Sequence, residues 1–466
     1  MYRAAFTRTK SHRLGGLLGT AISVSAIVLS PSIHPALAIS HVLPSDSSSQ
    51  STVLLVQADS AYGEAQRRIQ TALETQAIEL DLSGLDLQTI PTEISQLTHL
   101  QTLGLTYNQL TSVPSEIFQL TNLQNLYLAY NQLTSVPPEL GQLTNLQNLE
   151  LSANQLTSLP PELGQLTNLK WLIAWENQLT SVPAEIGQLV NLEELQLQQN
   201  QLTSVPAEIG QLVNLWDVNL SNNRLTTVPS EIGQLTNLQR LFLHRNQLTT
   251  VPSEIGQFAN LQTLSLDSNQ LTSLPSAIGQ LANLRSLTLS DNQLSRLLAD
   301  ISQLSQLEEL AIDDNQLSNL PDEIVQLSNL QVLTLSGNRL TNVPPVIDQL
   351  LNLQILFLNN NQLTSVPLEL FQLANLKWLT LSDNQLTMLP TAIGQLSNLE
   401  QLYLDDNQLT HLPAEIGQLS KLYKLLLSNN QITALPSEID LLREGIYLSV
   451  HGNPLPPEVL EQYPHF

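Results

Sequence analysis

Cysteine is absent from the 466 residues, which removes disulfides, thiolate metal sites and a cysteine nucleophile together. The eight histidines, His12, His34, His41, His99, His244, His411, His451 and His465, show no metal-ligand spacing. His244 stands in a basic spot with Arg240, Phe242 and Arg245, but a single histidine does not make a general-base site. Asp291, Asp313 and Asp314, then Asp383, Asp405 and Asp406, are placed where adjacent strands about 4.8 Å apart would align their carboxylates. Such a row has the donors for Ca²⁺, yet no calcium-loop spacing is present, so a solvated acidic patch is expected and no metal or other cofactor. Phosphate-loop, nucleophile-elbow, zinc-protease and kinase motifs are all missing, so no catalysis is expected.

What would position these side chains is a repeat. The text "NQLTSVPAEIGQLVNL" fills residues 177–192 and again, letter for letter, 200–215. Asparagine recurs every 23 residues from Asn108 to Asn453, sixteen times without an insertion or deletion. Around each stands L-x-x-L-x-L-x-x-N-x-L, as in "LQTLGLTYNQL" and "LEQLYLDDNQL", with Leu85 in the asparagine place of a degenerate first unit. This pattern resembles the leucine-rich repeat proteins, and its P-x-E-I-G-Q-L half is similar to the typical 23-residue class. The repeats are also similar to those of bacterial Roco proteins, although the sequence holds no GTPase motif. The resemblance implies an α/β solenoid, or horseshoe, with a parallel sheet on the concave face and short helices or turns on the convex one.

The residues themselves support that architecture. In x-L-x-L-x the leucines point inward and the x residues outward, giving one short strand per repeat. A single repeat cannot bury its own leucines, so neighbours must stack, and sixteen or seventeen strands make a sheet of roughly 80 Å. A buried asparagine column is tolerable only if its amides pair from repeat to repeat, because each unsatisfied group costs about 1–3 kcal/mol. Prolines such as Pro183 and Pro206 suit the first turn of a short convex helix, with Glu185 and Glu208 facing its positive end.

Five segments follow. Residues 1–38 read as a signal peptide: four basic residues without an acid, an apolar run, and a small-x-small site at Ala36–Ala38. Residues 39–59, rich in Ser, Asp and Gln, read as a flexible linker. Residues 60–76 place Tyr62, Ala65, Ile69 and Leu73 on one stripe of a capping helix. Repeats fill 77–455, and 456–466 form a cap from Val459, Leu460, Tyr463 and Phe466. A secreted or periplasmic monomer is expected, without membrane insertion after cleavage. The formal charge of −24 argues against nucleic acid.

The copied text is scaffold, so recognition belongs to the text between copies. There, Tyr107, Tyr127, Tyr130, Trp171 and Trp175 form one expected cluster, Arg240, Phe242, His244 and Arg245 a second, and Phe357, Trp378 and Tyr403 a third. Trp216 completes the four tryptophans, all within strand segments rather than at leucine positions. Aromatic residues on an open face are typical interface anchors. The expectation is an exported binder of a protein or glycan partner through Tyr127, Tyr130, Trp171, Trp175, Arg240, Phe242, His244, Trp378 and Tyr403. The alternative is a structural or adhesive surface spacer with no discrete site.

Overall fold

The structure, a computed structural model, describes residues 47–442 and 445–462. The segment read as a signal peptide, residues 39–46 of the segment read as a linker, and the cap residues Tyr463 and Phe466 lie outside them. The unit spanning 53–466 is described below.

Each repeat contributes one three-residue strand, from β1 (Glu79–Asp81) and β2 (Thr102–Gly104) to β16 (Lys424–Leu426) and β17 (Tyr447–Ser449). The strands between them relevant to function are β3 (Asn125–Tyr127), β4 (Asn148–Glu150), β5 (Trp171–Ile173), β6 (Glu194–Gln196), β7 (Asp217–Asn219), β8 (Arg240–Phe242) and β9 (Thr263–Ser265). All seventeen pair in parallel with their sequence neighbours, always 23 residues out of phase, as in Leu149↔Leu172 and Leu172↔Leu195. That constant offset follows from the absence of insertions. It stacks the central residue of every strand into one inward column, where Leu172, Leu195, Val218 and Leu241 are fully buried.

The return path of each repeat is a five-residue 3-10 turn, such as Ala184–Gln188 and Ala207–Gln211. Pro183 and Pro206 stand one residue before these turns, in extended backbone with ψ 147° and 151°, and not in the first turn as expected. Among the described 3-10 turns, only those at Pro138, Pro161 and Pro345 have proline in the first helical position. Glycine in the turn has a packing reason: a Cβ on Gly210 would lie 2.4 Å from the backbone O of Glu231 in the next repeat. Repeats therefore stack as closely on the convex side as glycine allows.

Helix α1 (Ser47–Thr75) closes the first repeat, burying Ala65, Ile69 and Ala72, with Arg68 donating to Asp81 O at 2.9 Å. It starts thirteen residues before the expected cap, so part of the segment read as flexible linker is helical. At the other end α2 (Pro457–Gln462) lays Val459 and Leu460 against the core.

Candidate functional site

The outward residues of the strands and the turns that follow them form the surface on which every sequence-derived site residue falls. Turn geometry comes first. The residue before each core asparagine takes positive φ: 56° at Tyr107, 54° at Tyr130, 55° at Glu176 and 54° at Arg245. For side chains this bulky the left-handed region costs roughly 1–2 kcal/mol, so the turn imposes it on whatever residue the column carries. Gly84, Gly337 and Gly452 in this column escape that cost.

Two of these strained positions build the aromatic site. Tyr107 and Tyr130 stack with centroids 4.3 Å apart and 9° between planes, and Trp175 meets Tyr130 edge-on at 5.9 Å. Tyr107 is 59% exposed and Tyr130 37%. Trp171, 41% exposed, and half-buried Tyr127 stand on the strands outside this chain of ring contacts, so the expected five-residue cluster is a three-ring stack with two flanking aromatics. Burial raises the Tyr127 and Tyr130 hydroxyls above their ordinary value, with smaller contributions from neighbouring acids and, at Tyr130, from Tyr107.

The basic spot is less basic than its sequence. Arg240 Nη2 donates to Asp217 Oδ2 at 2.6 Å, and its guanidinium lies over Trp216 at 4.7 Å. Asp217 is 4% exposed, and burial outweighs Arg240 to leave its carboxyl above the ordinary value. Phe242 and His244 meet edge-on at 6.4 Å. His244 Nδ1 lies 3.0 Å from Ser265 Oγ, which donates to Asp267 Oδ2 at 3.0 Å. With its single proton given to the carboxylate, Ser265 accepts from His244, which fixes the Nδ1–H tautomer. Serine thus sits between histidine and aspartate, the reverse of a nucleophile activated by a base. Burial first, then the charge of Arg245, lowers the His244 pKa against the pull of Asp267.

Further along, Asp267, Asp313 and Asp405 are absorbed by their neighbours, whereas Asp314 and Asp383 stand in the left-handed turns, where burial and then the adjacent acids raise their carboxyl pKa. Asp267 Oδ1 accepts from Ser290 N at 2.8 Å and Oδ2 from Thr288. Asp313 does the same to Ser336 N at 2.7 Å and to Thr334, and Asp405 accepts from Ser428 N at 2.9 Å. Asp and Ser alternate in this column, so each carboxylate braces the following repeat. The third aromatic group has Phe357 stacked near Trp378 at 6.2 Å and 10°. Tyr403 adjoins Lys424 instead, whose Nζ lies 4.8 Å from the Tyr403 ring and 5.7 Å from Tyr447. Lys424 is thus a second basic point on this face.

Comparison with known proteins decides the family. The pattern described as "Leucine-rich repeat region" matches residues 79–178, 124–215 and 161–246, and "Leucine rich repeat" matches 236–294, 305–363 and 351–409. Together these cover more than half of the chain. The chain belongs to the leucine-rich repeat family.

Among solved structures, this leucine-rich repeat chain is similar to such a protein of Leptospira interrogans. The two are 43% identical over 84% of this chain and 95% of that one, with a TM-score of 0.74. An internalin of Listeria monocytogenes is 26% identical over 74% of this chain and 94% of its own, at TM-score 0.58. A plant peptide hormone receptor in complex with RGF2 is 28% identical over 81% and 78%, at TM-score 0.59. Curated proteins give no match. No described helix is long and apolar enough to cross a membrane.

Among residues that sequence reasoning missed, Asp217 was within reach. Reading the strands at the 23-residue offset places it beside Arg240, an acid against a base on adjacent rungs. The left-handed column was within reach too, because Asn, Asp and Gly, the types that favour positive φ, recur in it at Asn222, Asp291, Asp314, Gly337, Asn360, Asp383, Asp406, Asn429 and Gly452.

Proposed function

We propose that this leucine-rich repeat chain is exported and binds a protein partner with the early repeats of its concave face, and that it performs no catalysis. The observation that carries this reading is the Tyr107–Tyr130–Trp175 stack. Its three rings are partly open, belong to no leucine column, and supply rigid apolar area with polar edges at a small entropy cost. In later repeats Asp267, Asp313 and Asp405 are already spent on the Ser N–H groups of the next rung. His244 meets a Ser265 whose proton is already given to Asp267, so it activates no hydroxyl there, which favours binding over acid–base chemistry. The leader-like first 38 residues support export, and the plant receptor similar in fold is itself a complex with RGF2.

The test is capture. Full chain incubated with surface and exported proteins of the producing organism should retain one defined partner. Changing Tyr130 and Trp175 to serine should abolish retention while the melting temperature holds. Retention that survives this pair and responds only to deletion of whole repeats would replace the binder with a spacer.

A further inference from the structure

A second surface lies on the flank where the chain enters its strands, apart from the aromatic stack. Gln147, Lys170, Glu193 and Trp216 immediately precede β4, β5, β6 and β7, and with Asn168, Asn191 and Asn214 they line a groove of about 680 Å³. The three asparagines belong to a ladder that recurs from Asn122 to Asn398, here donating through Nδ2 to the carbonyls of Thr144, Thr167 and Val190 at 2.9, 2.8 and 2.8 Å. Each amide is thereby fixed, and its Oδ1 remains an acceptor with no donor among the described residues.

Lys170 Nζ and Glu193 Oε1 stand 3.6 Å apart, both side chains more than a third exposed, so the pair is loose and adds no net charge. Trp216 is half-buried and held by Arg240 of the next repeat. The groove thus offers a row of immobile acceptors, a neutral charge pair that both donates and accepts, and one indole.

An extended peptide fits this row poorly. Its N–H groups facing one side recur about every 6.6 Å, against rungs about 4.8 Å apart. Sugar hydroxyls have no such constraint, because each rotates to meet an acceptor, and the C–H face of a sugar ring covers an aromatic plane. We propose that this flank groove binds a neutral oligosaccharide lying across the repeats, with Trp216 under one ring and the asparagine ladder accepting from hydroxyls. This site is independent of the protein-binding reading above.

Full chain is titrated calorimetrically with maltohexaose, cellohexaose and chitohexaose. Saturable binding of at least one is expected. Trp216→Ala should weaken it by about tenfold, the loss of one aromatic contact of roughly 1.4 kcal/mol. Because Trp216 also supports Arg240, the exposed Lys170→Met is the second variant and should weaken binding at an unchanged melting temperature. The pair Trp171→Ser and Trp175→Ser should leave sugar binding untouched, which separates this site from the partner site. No saturable binding to any of the three sugars, or binding undiminished in both Trp216→Ala and Lys170→Met, overturns the proposal.

Discussion

Asn269 reaches back one repeat to Leu248: its Oδ1 accepts the backbone N–H of Leu248 at 3.0 Å. Its Nδ2 donates to Leu243 O at 3.1 Å and to Leu266 O at 3.0 Å. One side chain thus satisfies groups in two repeats, and the same bonds recur at Asn108, Asn246 and Asn453. Asn269→Leu strands a buried donor and two acceptors and should destabilise by at least about 2 kcal/mol. Exposed Thr226→Ser should stay within about 0.5 kcal/mol of the parent. Equal urea midpoints for the two would refute the ladder as a source of stability.

Glycine substitutions should split by location. Gly210→Ala would press a methyl onto Glu231 O of the next repeat, an overpacking cost of about 1–3 kcal/mol. Gly63 lies inside α1 with nothing within 4 Å of a Cβ, so Gly63→Ala should stabilise by about 0.5–1 kcal/mol. Thermal melts of both variants decide this, and a stabilised Gly210→Ala would contradict the close convex stacking.

The contrast shows what is legible in such a chain. The asparagine and leucine columns repeat in type, so the sequence pattern alone places β1 to β17 and the stacking direction. Gly210 belongs to a column that is glycine from Gly141 to Gly279 but Ser302, Val325, Asp348 and Phe371 after it, and its reason appears only once the carbonyl of Glu231 is seen above it. Asp267, Asp313 and Asp405 share one column at multiples of 23 residues, but that each reaches forward to the next repeat's Ser N–H is seen only in the bonds themselves. Pairwise ring geometry is less legible still: Tyr107 and Tyr130 meet because a left-handed turn aims both, and that turn is announced by the Asn, Asp and Gly of later repeats rather than by the two tyrosines themselves.

Acidity should stabilise the fold. Burial raises the carboxyl pKa values of Glu150, Glu194, Asp217, Glu309 and Asp405. A folded pKa above the unfolded one means the folded chain holds more protons between the two, so stability falls as pH rises through that window. His244, lowered from 6.5, acts oppositely below that pH, but the acids outnumber it. The urea midpoint should therefore fall as pH is raised from about 4.5, the ordinary glutamate value, towards neutrality. For Glu150, where burial is the sole cause, Glu150→Gln should raise the midpoint at pH 7.5, with the gain vanishing towards pH 4.5. A gain that grows on acidification would reverse the sign of this account.

Export leaves a chemical mark. If residues 1–38 are removed as a leader, the protein recovered outside the cytoplasm begins at Ile39, which mass spectrometry of its amino-terminal peptide reads directly. An amino-terminal peptide starting at Met1 in that fraction would remove this support for export.

The aromatic residues allow the sharpest functional prediction, because the structure separates side chains that the sequence groups together. Trp175 holds Tyr130 edge-on, and Tyr130 in turn stacks on Tyr107, so Trp175→Ser removes one anchor and loosens two more. Trp171 shares no ring contact with them and projects from β5 by itself. Loss of a central aromatic anchor typically costs 2 kcal/mol or more, so Trp175→Ser should weaken partner binding by at least about thirtyfold. Trp171→Ser, at the margin of the stack, should cost about tenfold or less. Neither residue belongs to the leucine column, so both variants should melt with the parent. Affinities measured on the captured partner, with Arg240→Ser/Phe242→Ser beside them, then locate the site. If the Arg240 and Phe242 pair abolishes binding while Trp175→Ser does not, the partner sits at the Asp217-braced arginine and the stack is a structural pile of rings.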